Sequence, residues 1–170
     1  MATPTTLPAS FTAGQVLTAA QMNNLRGAFR VLQVVTAETS TIVANATTTL
    51  ADTTLTATIT PTSATSKVLI TICQNGVSKT NGNAGNGVLL AILRGATVIT
   101  YPATGAGHTN SALQNIVSVS ATYLDSPATT SATTYKTQFS NVVAAASTGV
   151  QTSVGVGAPA SYICLMEISA

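Results

Sequence analysis

Charge is what this chain most lacks. Of its 170 residues only 6% are Asp, Glu, Lys or Arg, against roughly 25% in an ordinary soluble domain. The net charge is +2, and the six cations are scattered. With no basic run to neutralise phosphates, nucleic-acid binding through the backbone is excluded. A surface so poor in ions is hydrated through hydroxyls or covered by other subunits, and self-association is the stronger expectation. Tryptophan is absent and aromatics total 4%, so platforms for stacking sugars are scarce. Cys73 and Cys164 are the only cysteines, too few for a disulfide framework or a zinc site. They are expected to be buried, inert thiols.

The chemistry of catalysis is equally thin. One histidine, His108, sits in a Gly-rich stretch, where an exposed loop position explains it without a nucleophile to activate. The acids are Glu38, Asp52, Asp125 and Glu167. Glycoside hydrolysis needs two carboxylates facing one another across a sugar, and no spacing pairs these. Asp125, two residues before Pro127, is expected to form a turn, and Glu167 to be paired or solvated near a strand end. The Gly- and Asn-rich stretch at residues 74–87 lacks the spacing of a phosphate loop and leads into no helix. Asn45-Ala46-Thr47 matches a glycosylation acceptor only by chance, since no secretion signal precedes it. No enzyme, cofactor or metal site is expected. The apolar run at residues 88–93 is far too short to cross a bilayer, so the expectation is a protein made in a cytoplasm, with no membrane insertion.

Threonine, serine, alanine, valine and glycine stand where charges usually do, and Thr and Val favour strands because branching at Cβ suits a pleated surface. Residues 1–17 are Pro- and Thr-rich and aperiodic. Leu7, Phe11, Val16 and Leu17 are apolar points in a polar stretch, the pattern of an extended arm that docks a few anchors on a partner. Residues 18–30 form the one expected helix. Thr18 and Gln21 make a capping box, and Met22, Leu25 and Phe29 form a narrow apolar stripe. Gly27 weakens that helix by about 1 kcal/mol relative to alanine, so it must pack on something. The stripe either covers an edge of its own sandwich or is the oligomer interface at which three copies meet.

From Val31 the period becomes two. Leu55, Ala57 and Ile59 alternate with threonines. Val68 to Ile72 is densely apolar, and residues 87–93 read as a strand buried on both faces. Val117, Val119, Ala121 and Tyr123 share one face of another strand. Tyr135, Thr137 and Phe139 face inward on the next, with Lys136 and Gln138 outward. Roughly eight strands and no later helix predict a mainly β fold, an antiparallel, jelly-roll-like sandwich. Residues 74–87, 103–110 and 144–159 read as loops, the last also as a weak edge strand. Loops on a rigid sandwich carry recognition, which makes Asn81, Asn83, Tyr101 and His108 the candidate receptor contacts.

The segment from Phe11 to Leu25, FTAGQVLTAAQMNNL, closely resembles the N-terminal motif of many tailed-bacteriophage fibre and minor tail proteins. The strand-rich remainder resembles the modules that follow it, notably at Thr56 to Ile70, Leu93-Arg94-Gly95, Tyr123 to Pro127, Tyr135-Lys136 and Met166 to Ile168. The resemblance implies a virion structural protein, typically a homotrimer. Residues 1–30 would then attach to other virion proteins, and residues 31–170 would form a sandwich head that meets a host-surface saccharide or protein. The address in the particle stays open between a tail fibre or tail tip and a capsid decoration. The short chain departs from long fibres, which place a shaft between anchor and head.

Overall fold

The computed structural model describes residues 31–169 except Asn81 and Ala145, together with Gly14 and Val16. The expected helix with Met22, Leu25 and Phe29, the anchors Leu7, Phe11 and Leu17, and the contact candidate Asn81 lie outside the described residues. Val16 is exposed.

Ten strands follow one another: β1 (Val31–Thr39), β2 (Val43–Asn45), β3 (Ala51–Ile59), β4 (Lys67–Lys79), β5 (Val88–Arg94), β6 (Thr97–Ala106), β7 (Asn115–Asp125), β8 (Thr133–Asn141), β9 (Thr148–Val150) and β10 (Ser161–Ile168). Their pairing has a simple logic. β5 and β6 form a hairpin, and outward from it β4 pairs β7, β3 pairs β8 and β1 pairs β10, all antiparallel. The chain is thus one long two-stranded ribbon. Rolling the ribbon brings β10 onto β4 and β8 onto β5. The result is two sheets, β1-β10-β4-β7 and β3-β8-β5-β6, which is the strand order of a jelly roll. The short β9 and β2 extend the first sheet beside the second half of β4.

The alternation seen in the sequence is the alternation of burial. Leu55, Ala57 and Ile59 on β3, Val68, Ile70 and Ile72 on β4, Tyr135 and Phe139 on β8, and Ile163 and Leu165 on β10 fill the space between the sheets. Ala91 and Leu93 lie on the other face of β5 from Leu90 and Ile92, yet all four are buried, as the unbroken apolar run predicts. Toward one end this core becomes polar. The buried hydroxyl of Thr53 meets that of Thr137, which donates to Gln74 Oε1 at 2.9 Å. Gln74 Nε2 and the Asn75 N–H both donate to Ser161 Oγ. With its lone pairs so engaged, Ser161 must donate its own proton, and Gln151 Oε1 is the acceptor at 2.8 Å, leaving the Gln151 amide to bond the Thr41 carbonyl. The chain of bonds crosses from one sheet to the other and leaves each member satisfied, the condition under which buried polar groups specify structure rather than destabilise it.

Four expectations need correction. Residues 74–79 are not loop but the second half of β4. Asn75-Gly76 is a bulge, at which the strand exchanges its neighbour β10 for β9. β6 runs on to Ala106, shortening the loop expected at 103–110. Residues 148–150 are neither loop nor edge: β9 is wholly buried between β4 and β2. The two thiols are free but half-buried, because both face outward from the first sheet.

Candidate functional site

The antiparallel ribbon sorts the chain into two ends. β1 begins at Val31 opposite Ile168, which in turn lies opposite Lys67. Val31 therefore lies at the same end as the short connections at residues 60–66, 95–96 and 126–132. At the other end lie the connections at 40–50, 80–87, 107–114 and 142–160. None of the residues in those four stretches is Asp, Glu, Lys or Arg, whereas Lys67, Arg94, Asp125 and Glu167 cluster at the entry end. Strand β4, with 13 residues, separates the two ends by roughly 40 Å at about 3.3 Å per residue.

The charge-free loops are bound to one another. Thr80 N–H donates to the Ser147 carbonyl at 3.0 Å and Gly82 N–H to that of Ala112 at 2.9 Å. The Asn86 side chain accepts from Val143 N–H and donates to the Ser147 carbonyl. Buried Lys79 points its ammonium at the Ser111 carbonyl, fastening loop 107–114 to the end of β4. At the tips Ile42, Leu113, Val142, Val154 and Val156 are exposed.

Two of the contact candidates meet here. Asn83 caps its own loop, accepting from Gly85 N–H at 2.9 Å. His108 is exposed, with Nδ1 3.3 Å from the Asn86 carbonyl, and lines an open groove with Gly85, Gly87, Gly105 and Val142. The groove floor is backbone: a Cβ on Gly87 would come within 3.0 Å of Gly105. Tyr101 does not belong with them. It stands half-exposed in the middle of β6, while its neighbours Ile99 and Ala103 turn to the core.

The acids are engaged in structure. Asp125 and Glu167 flank Val68 in one row of the first sheet, a juxtaposition invisible in their spacing. Both are buried, and each is saturated by its own partners. Arg94 Nη1 reaches the two Asp125 oxygens at 3.1 and 2.9 Å, and the Tyr135 hydroxyl donates to the second at 2.7 Å. Asp125 is an ion-paired strand residue, not the turn former expected. Burial pushes the Tyr135 hydroxyl up, as does its bond to the carboxylate. Glu167 accepts from Thr62 N–H, the Thr62 hydroxyl and Gln33 Nε2 at 2.7–2.8 Å. Asp52 lies outside on β3, lowered chiefly by its bond to Lys136 and then by Gln138. Asn45 is buried, its amide donating to the Thr49 and Phe139 carbonyls, so the acceptor pattern there serves the fold. Among the described residues no group of acids, histidine and cysteines is placed to hold a metal.

Replacing Asp125 with Ala leaves the buried Tyr135 hydroxyl without an acceptor and Arg94 without its ion. Urea unfolding should show a loss of about 2–3 kcal/mol, and Tyr135→Phe only about 1. Equal losses would mean that the ion pair contributes nothing beyond the tyrosine bond.

No family model and no curated protein matches the chain. Among solved structures it is similar to a crystal structure of the infectious bursal disease virus VP2 subviral particle, at 12% identity over 80% of this chain and 39% of that one, with a TM-score of 0.42. It is also similar to a structure of the infectious bursal disease virus Gt strain, at 13% identity over 80% of this chain and 40% of that one, with a TM-score of 0.39. The chain spans about two-fifths of the length of either.

Proposed function

We propose that this chain is a non-enzymatic structural module of a bacteriophage virion. It is a tail-fibre or tail-tip protein, anchored by residues 1–17 to other virion proteins and turning its charge-free loops to the host surface. The observation that carries this is the polarity of the head. The chain enters at one end, and the tied loops with Asn83 and His108 occupy the other. Amides, hydroxyls and glycine backbone in those loops suit many weak hydrogen bonds to a saccharide or protein, strengthened by avidity when several copies engage together. Among the described residues the buried carboxylates are taken up by structural bonds and His108 Nδ1 lies against the Asn86 carbonyl rather than a nucleophile, which supports the non-enzymatic reading. Assembly takes place in the host cytoplasm. The alternative address is the capsid shell, as a decoration or head fibre, and it is favoured by the directness with which the 30 residues before β1 join the head.

A deletion of residues 1–17 tests the anchor. The truncated chain should fold and stay soluble yet be missing from purified particles. Normal incorporation would sink the anchor assignment. Counting copies of the intact chain per particle separates the addresses, a few dozen or fewer meaning tail and hundreds meaning capsid. Isolated protein that neither binds host cells nor slows phage adsorption would remove host recognition from the proposal.

A further inference from the structure

An open sheet has edges, and a free edge offers a row of unpaired N–H and C=O groups to any strand that meets it. Every edge here but one carries a device against that. β2 has only three residues. β1 slips its register beside Gln33 and is closed by side chains. Gln33 Nε2 donates to the Thr60 carbonyl at 2.6 Å, and the Thr39 and Thr54 hydroxyls meet at 2.8 Å. β3 is bulged between Asp52 and Thr56, where Thr54 takes a left-handed backbone at φ +71°. β6 has Pro102 at its middle and slips against β5. β7 has none of these devices. From Asn115 to Leu124 it holds no proline, no glycine and no charge, and its register with β4 is unbroken from Val119 to Asp125. Asp125 itself is taken up by Arg94 and Tyr135. Among the described residues no strand pairs with the side of β7 away from β4.

The core is open along that same side. Val117, Val119, Ala121 and Tyr123 turn inward from β7, as Ile99 and Ala103 do from β6, its neighbour in the other sheet. All six are only half-buried, whereas Ile70, Ile72, Leu90 and Ile92, one strand further in, are wholly buried. The opening is bounded at one end by the Asn115 Nδ2 bond to the Gly107 carbonyl, 3.2 Å, and at the other by the Arg94–Asp125 pair, 2.9 Å.

We infer that the outer edge of β7 receives an extended strand from another protein, an uncharged segment with an apolar residue at every second position. The main chain fixes the class of partner. Alternate β7 residues turn N–H and C=O outward together, and another extended backbone is what matches that row. The alternation follows from the two faces of the added strand. One face covers the half-buried core residues, and the other lies beside Ser118, Ser120 and Thr122, all exposed. An edge without charge gives a charged side chain nothing to pair with. Area argues for a peptide rather than a second copy of this chain. The 11 residues of β7 make an edge about 36 Å long and roughly 10 Å deep, so edge-to-edge pairing buries about 700 Å² in all. That falls short of the roughly 1,200 Å² of a stable complex between folded partners. A flexible segment adds to it by tucking alternate side chains into the opening, which a strand packed on its own core does not.

The test uses the full chain and a synthetic probe, a peptide of about nine alternating valines and threonines with a lysine at each end. In the free chain every second β7 amide should exchange its hydrogen at least about ten-fold faster than the amides bonded to β4. The probe should bind one per chain and slow those fast amides about ten-fold or more, leaving exchange in residues 80–87 and 107–114 unchanged. Methylating the backbone nitrogens of all the valines, or of all the threonines, separates strand pairing from general stickiness. One of the two methylated peptides should bind as the parent does and the other not at all, because a single set of amides faces β7. Equal binding by both, or protection that falls outside β7, overturns the inference. So does the absence of binding at about 1 mM probe. A free chain whose outward β7 amides are already slow overturns it too, since a second copy then occupies the edge. None of these failures touches the virion reading, which rests on residues 1–17 and on the loops.

Discussion

A chain carrying Gly76→Ala should lose about 4 kcal/mol of stability, whereas Gly95→Ala should lose only about 1. Both glycines have left-handed backbones, at φ +61° and +58°. An alanine at either one bears the same conformational penalty. They differ in what the new methyl meets. At Gly95, in the hairpin between β5 and β6, there is open space. At Gly76 the methyl would lie 2.4 Å from the backbone nitrogen of Thr152 and 2.7 Å from the Gln151 carbonyl carbon. Backbone cannot swing aside as a side chain can. It is held there by the Thr152 N–H bond to the Gly76 carbonyl and the Gln151 N–H bond to that of Asn75, each 3.0 Å. Relieving the clash means pulling residues 151–152 off β4, which undocks β9 and breaks the polar chain through Gln151. Urea midpoints of the two variants measure the difference directly. Equal losses would show that Gly76 is needed for its φ alone and that the close approach yields without cost.

The same bulge marks the limit of what the sequence discloses. Asn-Gly favours left-handed backbone wherever it occurs, so Asn75-Gly76 looks like a hairpin turn. Whether the chain reverses there or only kinks depends on residues 148–152, which take over as the strand's neighbour more than 70 positions away. β9 was hidden for the same reason. Thr148, Gly149 and Val150 have no pattern of their own, and their burial comes entirely from the strands on either side. By contrast Leu55, Ala57 and Ile59, or Tyr135 and Phe139, announce their face locally, because a strand buried on one side must alternate. The candidate site divides along this line too. Asn83 and His108 lie in true loops that the fold gathers at one end. Tyr101 lies on a strand that continues to Ala106, into the stretch from residue 103 expected to be loop. The open edge of β7 needed the pairing: its alternation shows in the sequence, and only the strand order leaves its outer side without a neighbour among the described residues.

Acid should expose Glu167 as a strong pH-dependent contributor to stability. Its carboxylate is fully buried. Burial alone would raise its pKa, but bonds from Gln33, the Thr62 hydroxyl and the Thr62 N–H, with the Ser66 hydroxyl nearby though poorly aligned, outweigh burial and hold it at about 2. An unfolded chain titrates this group near 4.5. The folded state therefore prefers the ionised form more strongly than the unfolded state does. The preference contributes in full above about pH 5 and is lost as the pH falls through the folded value near 2. Its size is at most about 3.5 kcal/mol, at about 1.4 kcal/mol for each pH unit between the two values. Urea unfolding of the wild type at pH 7 and pH 2.5 should show most of that loss, and Glu167→Gln, which cannot ionise, should lose less between the same two pH values. The difference isolates Glu167 from Asp52, whose lowered carboxyl titrates in both proteins. Glu167→Ala should already be weaker at pH 7 by about 2–3 kcal/mol, because the Thr62 N–H and hydroxyl and the Gln33 amide lose their acceptor together. Thr62 lies in the connection between β3 and β4, and Gln33 lies on β1. The carboxylate on β10 therefore fastens three segments at the end where the chain enters the head. If wild type and Glu167→Gln lose equal stability between pH 7 and pH 2.5, the carboxylate is not the fastening.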